Sequence, residues 1–244
     1  MARFAILAFG AASYACAMAV ILYSICFVGG FAPRSVDAGG PAASSALEAV
    51  LINLVLLGVF AVQHSVMARR EFKAVWTRIV PQSIERSTYV LAAAASLALL
   101  FWQWRPIAGS VWSVGDPWST VLLAVFWIGW GIAFLSTFLI SHFDLFGLAQ
   151  VWAAWRGAAR PEPAFRAPLF YKVVRHPIYV GFLLAFWATP TMTFGHALFA
   201  AAATGYILIG AWLEERDLVA LFGQTYLDYR ARVSMLIPRP PKRG

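Results

Sequence analysis

Along this chain apolar positions come in long unbroken blocks separated by short polar stretches. The blocks cover residues 4–30, 46–68, 87–104 and 118–140. Each is near the roughly 20 residues that a helix needs to cross a hydrocarbon core of about 30 Å. A fifth block, 178–213, is too long for one crossing and carries Pro190 and a Gly195-His196 pair near its middle. It predicts a tight hairpin of two helices, about 18 and 17 residues long. None of the blocks alternates with a period of two, so strands of a membrane barrel are not expected. Beyond the hairpin, Leu218, Leu221, Phe222, Tyr226 and Tyr229 recur at helical spacing. They predict an amphipathic tail helix over 214–232, broken near Gly223. The pattern is that of an all-α integral membrane protein: four transmembrane helices, a C-terminal helical hairpin and a cytoplasmic amphipathic tail, in a single domain spanning 1–244.

Composition removes the soluble alternative. The chain is 61% hydrophobic and 12% charged, with a mean hydropathy of +0.72, far from the balance of a soluble domain of this size. Of the 19 Lys and Arg, all but Arg34 and Arg105 fall on one side of the expected helices. Basic loops mark the cytoplasmic side, so both termini are expected there, in a bacterial-type inner membrane. A net charge of +8 and a pI near 9.9 suit membrane lipids of anionic character. A nucleic-acid partner would need a soluble basic domain, and none is present. The first block is too long for a signal peptide and lacks a clear cleavage site, so a retained helix is expected. Cys16 and Cys26 stand ten positions apart on that helix and face different directions, which rules out a disulfide or a metal pair and leaves packing roles. No metal is expected.

The polar residues within or beside the blocks collect at one membrane edge: Gln63-His64-Ser65, His142-Phe143-Asp144, Arg175-His176 and Glu214-Glu215. Hairpin arms of roughly 26 Å return Glu214-Glu215 to the face where Arg175-His176 started. Pro177 suits the first position of a helix and makes His176 its N-cap. The first-turn amides with Arg175 then offer a place for an anionic group. The same residues also fit an interfacial anchor. Two carboxylates at a helix C-terminus gain nothing from the helix dipole, which favours a functional role for Glu214-Glu215 toward hydroxyl or amine groups of a polar ligand. Arg216 is placed to offset part of their charge. His142 and Asp144 fit either a turn or a site, while His64 and His196 are weaker candidates, His196 as an interfacial residue at the hairpin tip. Arg230 and Tyr226 lie within reach of a ligand above the helix ends.

The segment RHPIYVG, then EERDLVALFGQTYLDYR and LIP, resembles the C-terminal signature of the integral-membrane methyltransferases that include isoprenylcysteine carboxyl methyltransferase and phospholipid N-methyltransferases. The matching positions are Arg175, His176, Pro177, Tyr179, Gly181, Glu214, Glu215, Leu218, Phe222, Gly223, Tyr226 and Tyr229. Ser234 departs from the pattern, standing where many relatives have proline. Upstream, QHSVMARREFKAVWTRIVPQSIERSTYVL and SHFDLFGLAQVW are similar to a narrower bacterial group, the methanethiol S-methyltransferases, and to NnrU-type membrane proteins. The resemblance implies S-adenosylmethionine as cofactor, bound by a signature over about 170–240. Arg175 and His176 would lie near its carboxylate, Glu214 and Glu215 near its polar groups, with Tyr171, Tyr179, Gly181 and Tyr226 completing the set. It implies a small thiol acceptor, methanethiol giving dimethyl sulfide. Only a thiolate is a good nucleophile, so His142, with Asp144, is the candidate base, and Arg230 a candidate electrostatic support. Phe143, Phe146 and Trp187, with Tyr179, are candidate walls of the thiol pocket. Competing expectations are a carboxyl or lipid N-methyltransferase of the same fold and, in another class, a transporter or sensor, which would want polar groups near the bilayer midplane.

Overall fold

The computed structural model describes residues 2–159 and 164–238. Arg160, Arg239, Lys242 and Arg243, which contribute to the charge count above, lie outside the described residues. The helices in chain order are α1 (Ala2–Gly29), α2 (Ala46–Ala68), α3 (Arg70–Trp76), α4 (Gln82–Gln103), α5 (Trp118–Ile140), α6 (His142–Leu145), α7 (Leu148–Arg156), α8 (Pro177–Trp187), α9 (Phe194–Phe222) and α10 (Gln224–Arg232). Two short strands, β1 (Ser110–Ser113) and β2 (Thr191–Thr193), pair with each other. Among the described residues α1, α2, α4, α5 and α9 are long and apolar enough to cross a membrane. The protein is an all-α, multi-pass membrane protein.

The hairpin departs from the expected symmetry. Its outgoing arm, α8, has 11 residues, and its return arm, α9, has 29. A proline disfavours helical geometry in the residue before it, so Pro190 bars the helix from Thr189, and α8 stops at Trp187. On the far side α9 runs through Glu214-Glu215 as one helix and breaks only at Gly223, which has a positive φ of 56°.

Two compact units make up the chain. The first contains Met1–Trp112, Phe143–Pro161 and Thr191–Phe199. Here α4 packs on α1 and α2, and α7 on α1 and α4. Ser45 caps α2 by accepting from the Glu48 amide at 3.2 Å. Phe27 sits between Phe101, Trp104 and Phe199 at ring separations of 4.6, 6.2 and 6.1 Å. The chain leaving α4 is tied down by buried Asn53, whose amide donates to the Arg105 carbonyl and accepts from its N–H, both at 2.8 Å.

His196 is fully buried in this unit, not interfacial. Its Nδ1 lies 3.5 Å from Asp37 Oδ2, and the Thr193 hydroxyl donates to Asp37 Oδ1 at 2.5 Å. Asp37→Ala is expected to lower stability by about 1–3 kcal/mol, because it leaves buried polar groups without their acceptor. Thermal unfolding in detergent reads this directly. An unchanged midpoint would mean that the carboxylate is dispensable. Cys16, expected to pack, is exposed on α1, and both cysteines are free.

The second unit contains Ser113–His142, Glu162–Pro190 and Ala200–Gly244. Its centre is the contact of α5 with α8, made by small residues four apart on each helix: Gly129 and Ala133 on α5, Gly181 and Ala185 on α8. A Cβ at Gly181 would stand 2.5 Å from the Gly129 carbonyl oxygen, and one at Gly129 would stand 2.7 Å from the Ala185 nitrogen. Such small-residue seams let helix backbones meet in lipid, where packing rather than the hydrophobic effect holds helices together. After α10 the chain returns beside the entry to α8. Val174 and Ser234 form a parallel bridge, Arg175 N–H donates to the Ser234 carbonyl at 2.9 Å, and His176 N–H donates to the Met235 carbonyl at 3.2 Å.

Candidate functional site

Pro177 occupies the first turn of α8 with His176 as N-cap. The His176 side chain makes no capping bond. It is buried and turned toward α9, with Nε2 3.1 Å from Glu215 Oε1 and Nδ1 3.6 Å from Glu214 Oε2. One turn along α8, the Tyr179 hydroxyl donates to Glu214 Oε2 at 2.8 Å, and its ring stacks on His176. Arg175 places Nε and Nη2 each 2.6 Å from Glu215 Oε1 and donates from Nη1 to the carbonyls of Val233 and Arg230. Residues about forty positions apart thus form one network at the α8 entry.

The two carboxylates are not equivalent. Glu215 is 10% exposed in its side chain and is shared by Arg175 and His176, whereas Glu214 is 46% exposed and held by Tyr179. Glu215 closes a buried charge pair, and the Glu214 carboxylate, held by Tyr179, keeps an exposed side. Arg175 is committed to Glu215 and to the tail carbonyls.

Three tyrosines complete the cluster. Tyr171 is buried and donates to the Ser136 carbonyl at 3.3 Å, while the Tyr229 hydroxyl donates to the Tyr171 carbonyl at 2.5 Å. Tyr226 is 1% exposed, and its hydroxyl has no hydrogen-bond partner among the described residues. Burial, with the Glu215 carboxylate nearby, pushes the Tyr226 phenol up. Burial also pushes Tyr229 up to about 12, against the pull of Arg175. Both stay protonated: Tyr229 donates to Tyr171, and Tyr226 keeps a proton to donate. Phe165 packs its ring against Phe222, Tyr226 and Tyr229 at 5.5, 6.0 and 5.1 Å. In the sequence it is marked only as an isolated aromatic in a loop of small and polar residues.

The remaining candidates are placed as follows. Gly181 faces Gly129 and Ala133 of α5. Trp187 lies at the other end of α8 from His176, its indole N–H donating to Thr204 at 3.0 Å. Eight residues of helix, roughly 12 Å, separate it from Tyr179. Arg230 is exposed and lends its carbonyl to Arg175. Phe143, Asp144 and Phe146 belong to the first unit. There Phe143 and Phe146 both meet Tyr14, and the Asp144 carbonyl accepts from the Gln150 amide at 3.1 Å. Arg216 lies over the Trp212 ring, 5.0 Å from its centroid.

His142 follows the end of α5 and is buried, stacked on Phe138 at 4.0 Å. Thr137 Oγ1 donates to the Phe134 carbonyl at 2.7 Å and lies 2.8 Å from His142 Nδ1. With the threonine proton on the Phe134 carbonyl, the arrangement suits Nδ1 as the donor, the tautomer that carries its lone pair on Nε2. Burial holds the imidazole below its ordinary value of 6.5, so it is neutral at physiological pH.

No family model and no solved structure matches the chain. Among curated proteins, the methanethiol S-methyltransferase of Mycobacterium tuberculosis is 55% identical over 242 residues, covering 98% of each chain. Methanethiol S-methyltransferase 2 of Bradyrhizobium diazoefficiens is 54% identical over 98% of this chain and 92% of its own. The chain belongs to the methanethiol S-methyltransferase family. Membership in that family makes it an enzyme of the methyltransferase class, which requires a methyl donor, and agrees with the resemblance carried by the RHPIYVG and EERDLVALF segments. A more distant match to this chain is nurim of Mus musculus, 30% identical over 74% of this chain and 72% of its own.

Proposed function

We propose that this protein transfers a methyl group from S-adenosylmethionine to a small thiol, converting methanethiol to dimethyl sulfide. The supporting observation is the end-to-end likeness to methanethiol S-methyltransferases. The whole chain acts as one polytopic methyltransferase whose cofactor-binding signature covers about 170–240. Both termini and the Arg175 to Glu215 network lie at the cytoplasmic face of a bacterial inner membrane, in keeping with the basic residues of the loops on that side.

The cluster fits the cofactor on its own chemistry. Tyr226 holds a buried hydroxyl without a partner among the described residues, a donor suited to a carboxylate, and Glu214 offers an acceptor suited to ribose hydroxyls or an amine. His176 and Tyr179 orient Glu214, and Arg175 with Glu215 fixes the tail beside it. When bound, S-adenosylmethionine supplies a methyl group on an electrophilic sulfonium. His142 Nε2 accepts the thiol proton, with Thr137 stabilising the imidazolium through Nδ1. A thiolate formed in this way would be the nucleophile toward that methyl group, the donor sulfur would leave as a neutral thioether, and the proton would pass from His142 to water. Holding the partners in line accounts for most of the acceleration in such a displacement. Arg230 supports the thiolate charge from the exposed side.

Headspace gas chromatography of purified protein with both substrates tests the proposal. Dimethyl sulfide is expected from the wild type, and Glu214→Gln should weaken cofactor binding by roughly 10- to 100-fold, the worth of a hydrogen bond to a charged group. Cofactor binding without dimethyl sulfide would redirect the search to prenylcysteine and phospholipid acceptors. Because burial lowers the His142 pKa, the base form persists down to pH 6.5, and turnover should fall only below that value. His142→Ala should lose about 100-fold or more at neutral pH. An acid limb above pH 6.5, or full activity of the variant, would remove His142 from the role.

A further inference from the structure

The segment between α2 and α4 is fixed at both ends to membrane-spanning helices, since α2 ends at Ala68 and α4 begins at Gln82. Residues 69–81 therefore lie along the membrane face rather than crossing it. Within them α3 is seven residues long, and tight turns carry the helical path on to Val80, with Ile79 N–H donating to the Trp76 carbonyl at 3.0 Å and Val80 N–H to the same carbonyl at 2.9 Å. Phe72, Val75, Trp76 and Ile79 stand at positions i, i+3, i+4 and i+7, which puts them on one side of that path.

This apolar side is only partly covered by protein. Val75 is 58% exposed and Ile79 77% exposed, while Phe72 and Trp76 stack on each other at 5.7 Å. Flanking them are four cations, Arg69, Arg70, Lys73 and Arg78, against the single acid Glu71. Arg70 and Arg78 are exposed, and Arg69 Nε donates to the Ser65 carbonyl at 3.2 Å. An exposed apolar stripe bordered by cations and held in the plane of the headgroups is the arrangement of an interfacial amphipathic helix.

We infer that residues 69–80 form a docking surface for anionic phospholipid, with Val75 and Ile79 inserted at the acyl boundary and Arg70 and Arg78 on the headgroups. The excess of cations selects the occupant, because each basic residue near the surface enriches anionic lipid roughly fivefold. Zwitterionic lipid would satisfy the apolar stripe alone. The surface uses none of the residues of the Arg175 to Glu215 network and stands whether or not the proposed reaction is correct.

The test places one fluorophore beside the stripe. Cys16 and Cys26 are the only cysteines, so Ala74→Cys in a Cys16→Ser/Cys26→Ser background gives a single labelling site at an exposed position. The full-length labelled protein goes into nanodiscs containing equal small fractions of nitroxide-labelled phosphatidylglycerol or phosphatidylcholine. The expected result is an apparent local concentration at least about fivefold higher for phosphatidylglycerol at low salt. That excess should collapse toward equality in about 0.5 M salt, where the Debye length is only a few ångströms, and in Arg70→Gln/Arg78→Gln. Equal quenching by both lipids in the unsubstituted surface at low salt would overturn the inference. Quenching by neither lipid would also overturn it, as would self-quenching confined to discs holding two copies, which points to a second chain as the occupant. The salt titration needs no charge-removing variant, so a poorly folding double variant would not remove the test.

Discussion

Glu215→Ala is expected to cost about 3–5 kcal/mol of stability and to leave turnover undetectable. Removing one partner of a buried ion pair strands the other charge, and that loss is larger than the net worth of the intact pair. Here the stranded group is Arg175, 10% exposed like Glu215 itself, and His176 loses its contact at 3.1 Å in the same step. Because Arg175 also holds the Val233 and Arg230 carbonyls, the tail after α10 should loosen with it. Thermal unfolding in detergent, with calorimetric binding of S-adenosylmethionine, reads both effects. Replacing the pair together, as Arg175→Met/Glu215→Leu, should recover most of the stability, since apolar residues of similar volume often replace a buried pair at little cost. Activity should not return with it. Glu214→Gln makes the contrast: its carboxylate is half exposed, so the fold should survive while binding weakens. If Glu215→Ala unfolds at the wild-type temperature, the network is not what fixes the α8 entry.

Gly181→Val should prevent the second unit from assembling, and Gly181→Ala should cost about 1–3 kcal/mol or slightly more, the range for overpacking a close contact. The obstacle is backbone, the Gly129 carbonyl at 2.5 Å and the Ala133 nitrogen at 2.6 Å from the added carbon, which no rotamer change relieves. Gly131→Ala on the same α5 is the control, because nothing lies within 4 Å of its added carbon. The pair of measurements also distinguishes two roles for Gly181. A glycine needed only for close approach of a cofactor would lose affinity with its melting temperature intact, whereas a packing glycine loses melting temperature first.

Much of the fold was legible because long apolar blocks have few alternatives in a membrane. The helices at 46–68 and 118–140 begin and end where the apolar runs do. The meeting of Arg175-His176 with Glu214-Glu215 was readable from helix rise and a single reversal. The division of the reversal was not, since apolar content does not tell where a helix stops: Pro190 cut the outgoing arm to 11 residues, and the polar run EERDLVALF continued the return arm as helix. Burial of His196 was equally hidden, because its partner Asp37 lies more than 150 positions away and neither residue sits in a recognisable pattern. Gly181 was read as part of a motif, and the motif does not say that it meets Gly129. The inequality of Glu214 and Glu215 depends on which carboxylate faces Arg175, a matter of helix rotation that adjacent letters cannot convey.

The unequal arms of the hairpin bear on how the chain enters its membrane during synthesis. At 1.5 Å per residue α8 spans roughly 16 Å, about half of a hydrocarbon core, while α9 spans roughly 43 Å. A segment as short as α8 does not partition as an independent span. It must wait for α9 to emerge and be inserted with it, the Tyr179–Glu214 and Trp187–Thr204 hydrogen bonds joining the two arms as they pair. A nascent chain halted just after Pro190 would therefore hold its last apolar stretch outside the lipid, with Arg175 and His176 still lacking the carboxylates that α9 brings.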